Sequence, residues 1–233
     1  MLKFFEKVTT RKVGKGFATI VAFGDSITQG SFSFKNPMTD INAVYHNKLK
    51  EKLTLYVRGP INMINAGVAG QRAVSALERM DRDVFSHNPD LVIVCFGLND
   101  VNCGNKEEYL SSLRTIFTRL NDANIPTIFM TPNMLNTTVN KEIMPEKYYE
   151  MAERTAEIQN SGVMDDYMNC AIEVANECGI TVCDCYGKWK QLAAAGVLTD
   201  RLLANGINHP IKEMHNLFAE CLFYTILEMN SKA

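Results

Sequence analysis

Three stretches of this 233-residue chain end apolar runs with small polar residues: GDS at 24–26, NAGVAG at 65–70 and GLND at 97–100. Gly, Asn, Asp and Ser are ordinary turn formers, and any one of the three could be a turn and nothing more. Three together are more than turning requires, and the first brings a serine hydroxyl. That hydroxyl is a weak nucleophile at neutral pH and attacks only with a base within hydrogen-bond reach. The chain offers four histidines. His46 sits in the helical pattern NAVYHNKLKEKL, where a surface or partly buried place is expected. His87, in SHNPD, precedes an apolar run and belongs to the opposite end of that run, and His215 lies inside KEMHNLFAECL, on a helix face. His209 stands in a loop directly before Pro210, a residue suited to the first turn of a following helix. Ser26 and His209 are the candidate nucleophile and general base.

A sheet is needed to bring such distant residues together. Five apolar runs, at 18–23, 61–66, 90–96, 126–131 and 180–184, lack the alternation of half-buried strands and suit strands covered on both faces. Helical patterns fall at 40–56, 73–86, 106–123, 146–178 with a break near Ser161 and Gly162, and 211–229. Strand–helix alternation of this kind predicts a three-layer, doubly wound α/β domain with a central parallel sheet. Ligands of such sheets bind beyond the carboxyl ends of the strands, where the three polar stretches lie. No linker or repeat marks a second unit, so a single domain over residues 1–233 is expected.

FGDSITQG, NAGVAGQ, FGLND and the late NHP resemble, in order, the four blocks of the GDSL esterase/lipase family, the SGNH hydrolases. The resemblance spans residues 19 to about 218. It implies a flavodoxin-like α/β/α fold and acyl-ester hydrolysis with no metal or organic cofactor. Matched by position, Ser26 resembles the nucleophile, Gly70 and Asn99 the oxyanion-hole members, and His209 the base. Their chemistry is coherent: backbone N–H groups of Ser26 and Gly70 with the Asn99 amide would meet the negative charge that develops on the ester oxygen. Asp25 and Asp100 are expected to brace loops. One position departs from the family. An aspartate usually stands three or four residues before the histidine, and here those places hold Gly206 and Asn205. Two arrangements are open: a Ser–His dyad oriented by Asn205 or a backbone carbonyl, or a carboxylate from elsewhere, with Asp200 the nearest upstream.

Composition excludes other classes. Against 24 basic residues stand 26 acidic ones, and no Lys/Arg run tracks a phosphate backbone, so no nucleic-acid partner is expected. No segment approaches the ~18 apolar residues of a membrane span. The N-terminus lacks the apolar core of a secretory signal, and the seven cysteines contain no C-x-x-C pair. A reduced, cytoplasmic protein without a metal site is expected. The phosphate-binding glycine motifs are absent from GDSITQGS, and so is the G-x-S-x-G frame of α/β-hydrolases. The expected partner is a small-molecule or oligosaccharide ester, with short-chain carbohydrate esters foremost. A lysophospholipase or thioesterase, or a noncatalytic binding protein on the same fold, are the alternatives. Segment 131–155, with Asn133, Asn136, Asn140, Tyr148 and Tyr149 beside Met134, Leu135 and Met144, is expected to form much of the pocket wall.

Overall fold

The computed structural model describes residue 7 and residues 17–34, 39–57 and 59–232. Five strands, β1 (Ala18–Gly24), β2 (Ile61–Gly67), β3 (Leu91–Cys95), β4 (Thr127–Met130) and β5 (Thr181–Cys183), form one sheet in the order β2-β1-β3-β4-β5. Every pairing is parallel. All residues of β3 and β4 are buried, the physical reason their sequences read as unbroken apolar runs.

The helices described are α1 (Ser26–Gln29), α2 (Tyr45–Val57), α3 (Ala73–Ala76), α4 (Met80–Asp83), α5 (Leu98–Cys103), α6 (Lys106–Asp122), α7 (Tyr149–Asn160), α8 (Val163–Glu177), α9 (Cys185–Ala194) and α10 (Met214–Lys232). Helix α2 packs on α10 and α6 on α8, giving the sheet its two outer layers. This is the three-layer α/β/α arrangement expected, in flavodoxin-like strand order. None of the described helices is long and apolar enough to cross a membrane.

The long pattern at 146–178 breaks where expected: α7 ends at Asn160, and Gly162, at φ +82°, precedes α8. The pattern at 73–86 is not one helix. It alternates α3, a 3₁₀ turn at Leu77–Arg79, α4 and a second 3₁₀ turn at Phe85–His87. Arg79, at φ -106° and ψ 1°, leaves the α conformation at the joint and turns its guanidinium inward. Helices α1, α5 and α9 carry no sequence expectation, because two of them are too short for periodicity to register.

In this strand order the switch point lies between β1 and β3, where the connections leave toward opposite faces and open a crevice. Gly24, the last residue of β1, pairs with Gly67 of β2 on one side and Cys95 of β3 on the other. The three polar stretches therefore emerge side by side.

Candidate active site

Ser26 is the first residue of α1. Asp25 caps that helix, its Oδ1 accepting the Ile27 N–H at 2.9 Å. The helix is held from behind: Thr28 Oγ1 meets the Tyr45 hydroxyl at 3.0 Å, and His46 Nε2 donates to the Thr28 carbonyl at 3.0 Å. His46 is thus fully buried, where a surface or partly buried place was expected. His215 is also buried and accepts the Tyr45 N–H through Nδ1 at 3.1 Å, while His87 is exposed before β3. Neither serves the serine.

His209 does reach it. Its Nε2 lies 3.0 Å from Ser26 Oγ. The other ring nitrogen, Nδ1, lies 3.2 Å from the Phe32 carbonyl oxygen. A carbonyl only accepts, so Nδ1 carries the proton and Nε2 presents its lone pair to the serine hydroxyl. The ring therefore holds the tautomer that general-base chemistry needs, fixed by the backbone. Burial pushes the His209 imidazolium down to about 4, opposed in part by the Phe32 carbonyl.

Neither candidate side chain for orienting the ring touches it. Asn205 is buried, and its Oδ1 accepts the backbone N–H groups of Ile207, Asn208 and His209 at 3.0, 3.0 and 2.9 Å. It builds the turn that presents His209, and its own Nδ2 donates to Asn208 Oδ1 at 2.9 Å. The turn is closed by Ala204 N–H on the His209 carbonyl at 2.7 Å and by an antiparallel bridge between Leu203 and Pro210. Both Asp200 oxygens are taken by Thr137 and Thr138: Oδ1 accepts Thr137 N–H at 2.7 Å, and Oδ2 accepts Thr138 N–H at 3.0 Å. Asp200 thus ties the 137–138 segment to the base of the histidine loop. Of the arrangements left open by the sequence, the geometry is that of a backbone carbonyl on the ring.

The loop after β2 closes on α1 from the other side. A Cβ on Gly67 would stand 2.1 Å from the Gln29 backbone nitrogen, so only glycine lets this loop lie against the helix that carries Ser26. Gln29 Oε1 accepts the Ala69 N–H at 2.7 Å. Gly70 follows in the left-handed region at φ +75°, exposed, with open space around it. Asn99, the second residue of α5, donates through Nδ2 to the Gln71 carbonyl at 3.0 Å and lies 3.4 Å from Asp25 Oδ2. Among the described residues no protein acceptor takes the N–H of Ser26 or of Gly70. Asp100 braces the same loop by accepting Ala73 N–H at 2.8 Å. Burial raises the Asp25 carboxyl to about 7, with the neighbouring Asp100 adding to it, and raises Asp100 to about 6.

Arg79 carries no functional signal in the sequence pattern. Only 6% exposed, it donates from Nη1 to the Ala66 carbonyl at 2.7 Å and from Nη2 to the Gly24 carbonyl at 2.9 Å. Its Nε donates to Gln71 Oε1, Asp83 balances its charge at 3.1 Å, and its Cζ lies 4.5 Å from the Phe23 ring centroid. One side chain thereby joins the carboxyl ends of β1 and β2 to the Gln71 loop. Within segment 131–155, residues 137–143 line a groove, while two asparagines depart from expectation. Asn133 and Asn136 are fully buried; Asn133 holds the Asn208 carbonyl at 2.8 Å and Asn136 the Ala152 carbonyl at 2.8 Å. The Asn133 side chain, and the Asn136 N–H on the Ile207 carbonyl at 2.8 Å, position the histidine loop. No group of three or more His, Cys, Asp or Glu side chains among the described residues could hold a metal ion.

The family model of the GDSL-like lipase/acylhydrolases matches residues 22–217. The chain belongs to that family. A Bacillus subtilis (strain 168) protein described as the uncharacterized lipoprotein YqeF is 33% identical over 98 residues, 40% of this chain and 36% of that protein. The chain thus matches about a third of that relative's length. Among solved structures, a lipase/acylhydrolase from Enterococcus faecalis superposes with a TM-score of 0.70 at 22% identity, covering 90% of this chain and 95% of that one. A variant of the acetyl-xylooligosaccharide esterase Axe2 from Geobacillus stearothermophilus gives 0.67 at 21%, covering 90% and 94%. The acetyl xylan esterase AlAXEase gives 0.66 at 20%, covering 89% and 99%. These structures share the fold.

Proposed function

We propose that this hydrolase cleaves short acyl esters, acetylated carbohydrates foremost, through an acyl-enzyme on Ser26, within a single domain and in the cytoplasm. The observation that carries the reading is the 3.0 Å contact of Ser26 Oγ with His209 Nε2, its tautomer set by Phe32. Ser26 Oγ attacks the ester carbonyl while His209 Nε2 takes the hydroxyl proton. The N–H groups of Ser26 and Gly70 and the Asn99 amide receive the oxyanion, the step at which preorganised donors contribute most. His209 then returns the proton to the leaving alcohol. Water enters by the same base, and acid is released. The imidazolium formed on the way faces a neutral carbonyl dipole, so the oxyanion donors carry more of the stabilisation than in a carboxylate triad.

The carbohydrate assignment rests on the named activities of the acetyl xylan esterases that share the fold. A groove of about 970 Å³ lies beside the histidine loop, with Thr137, Asn140 and Arg201 among its polar lining. A longer acyl chain is the second reading. It is favoured by an apolar patch of Met144 and Ile207 with Phe34 and Tyr148, whose rings stack at 4.0 Å. The seven free cysteines support a reducing compartment. Initial rates on acetylated xylo-oligosaccharides and on nitrophenyl esters of increasing chain length test both readings, in wild type and Ser26→Ala. Rates falling steeply beyond acetate, and lost in Ser26→Ala, fit the first. Rates rising with chain length overturn it in favour of the second.

A further inference from the structure

The loop that carries Gly70 has little packing to hold it. Val68, Ala69 and Gly70 are all exposed, and a glycine at φ +75° with open space around it has no side chain to fix its conformation. An oxyanion donor nevertheless contributes only when its N–H is aimed in advance. Hydrogen bonds must do the aiming. The root of the loop is tied by the Val68 N–H on the Gly24 carbonyl at 3.1 Å. Two further bonds bracket the peptide that bears the Gly70 N–H. On one side Gln29 Oε1 accepts the Ala69 N–H at 2.7 Å, and on the other Asn99 Nδ2 donates to the Gln71 carbonyl at 3.0 Å. Gln29 is itself tied to β2: Asn65 Nδ2 donates to its carbonyl at 3.2 Å, while Asn65 Oδ1 accepts the Gly67 N–H at 2.9 Å.

We propose that Gln29 is a positioning residue of the oxyanion hole, which through the Ala69 N–H sets the Gly70 N–H at a fixed offset from the Ser26 hydroxyl. The inference rests on the roles of Ser26 and Gly70 proposed above. Helix α1 makes the offset fixed, because Ser26 is its first residue and Gln29 its last. Its turn is closed by the Gln29 N–H on the Asp25 carbonyl at 2.9 Å and the Gly30 N–H on the Ser26 carbonyl at 3.0 Å. The attacking hydroxyl and the acceptor that aims the donor thus stand on one helical turn, and any shift of that turn carries both. Glutamine suits the task. Its amide oxygen accepts without a charge, whereas a carboxylate in that place would oppose the oxyanion as it forms. Gln29 touches neither substrate nor reacting atoms in this role and acts only through the loop.

The test compares the full-length wild type with Gln29→Met, which keeps the side-chain length and removes the acceptor. Nitrophenyl acetate gives kcat and KM. Phenylboronic acid, whose boron takes the serine oxygen and becomes a tetrahedral anion, gives an inhibition constant that reports the oxyanion site. A donor misaimed but still present loses part of the hundredfold to thousandfold worth of a donor removed, so kcat should fall about tenfold to a hundredfold with KM within about twofold. The boronate inhibition constant should rise by the same factor, as for any analogue of the transition state. An unchanged kcat overturns the proposal, as does a fall in kcat with the boronate constant unmoved, the mark of general loosening. A raised KM at wild-type kcat overturns it too and assigns Gln29 to substrate binding. Fluorophosphonate labelling of the wild type separates the underlying reading: with Ser26 labelled, the kinetics judge Gln29 alone, and with Ser26 unlabelled both fall together. Should Gln29→Met fail to fold, amide hydrogen exchange in the wild type decides. The Ala69 N–H should exchange at least about tenfold more slowly than the Gly70 N–H, which no protein acceptor takes among the described residues. Equal exchange at these two exposed residues overturns the proposal.

Discussion

The Phe32 carbonyl makes a specific demand on the pH dependence of the reaction. His209 must be neutral to accept the Ser26 proton, so kcat/KM falls as pH drops through the pKa of its ring in the free enzyme. With no carboxylate on Nδ1 and with burial against the cation, that pKa lies at about 4 and not at the ordinary 6.5. The consequence is large at mildly acid pH. At pH 5.5 a base titrating at 6.5 retains about a tenth of its plateau rate, whereas one titrating near 4 retains nearly all of it. The fold must survive the same titration. Buried His46, His209 and His215 have folded pKa values lowered to about 4, 4 and 3, so on unfolding each takes up a proton below 6.5, and acid destabilises. Asp25 and Asp100 oppose this: raised to about 7 and 6, they hold protons in the folded state that the unfolded chain releases above its ordinary 3.8. Three uptakes against two releases leave a net of one proton. Between about pH 4.5 and 6, stability should therefore rise by only about 1.4 kcal/mol per pH unit. The assay is acetate release by a pH-independent method from pH 3.5 to 8, with circular dichroism on the same samples. An acid limb near pH 4 in folded protein is expected. A limb at 6 to 7 that persists in Asp25→Asn and Asp100→Asn would refute the reasoning, since the ring would then be hydrated or paired with an anion.

Asn99→Ala should lower kcat by roughly a hundredfold to a thousandfold with little change in KM, because its amide bonds the oxyanion more strongly than the ester carbonyl. A raised KM at unchanged kcat would assign it to substrate binding instead. Asn205→Ala removes the acceptor of three loop N–H groups. At about 1 kcal/mol each it should cost roughly 3 kcal/mol in urea titration and displace His209, lowering kcat; wild-type stability and rate would contradict that role. Asp200→Asn should loosen the 137–138 segment and leave the acid limb of kcat/KM in place, and an acid limb that moves down would put Asp200 on the ring. Arg79→Met removes a charged donor from the Gly24 and Ala66 carbonyls and from Asp83, of which Gly24 keeps the Val68 N–H and Asp83 keeps Arg82. A loss of about 3 kcal/mol or more is expected in denaturant melts, against under 1 kcal/mol for a guanidinium that is merely accommodated.

The strands and the order of the polar stretches were legible because burial on both faces leaves a continuous apolar run and because turn residues at β1, β2 and β3 share one end of the sheet. The contact between Ser26 and His209 was legible for a chemical reason, one hydroxyl needing one base. What orients His209 was not. A side-chain reading looks for Asp or Asn upstream, but the acceptor is a main-chain oxygen, which every residue has, so Phe32 advertises nothing by its type. Asn205 and Asn133 illustrate the converse: their amides suggested a ring partner and a sugar pocket, and they are spent on the backbone of the histidine loop. Arg79 was hidden because periodicity reads 73–86 as one amphipathic helix, whereas the guanidinium's pull toward two strand ends breaks it. His46 read as a surface or partly buried histidine because its partner, the Thr28 carbonyl, belongs to an element with no sequence signature.

The claim that Ser26 is the nucleophile activated by His209 is tested most directly by covalent labelling with a fluorophosphonate, followed by peptide mapping. A single adduct on the peptide containing Ser26 is expected, absent in Ser26→Ala and formed at least about a hundredfold more slowly in His209→Ala, the usual worth of a positioned general base. Labelling that survives Ser26→Ala unchanged would contradict the account, and so would a rate indifferent to His209→Ala.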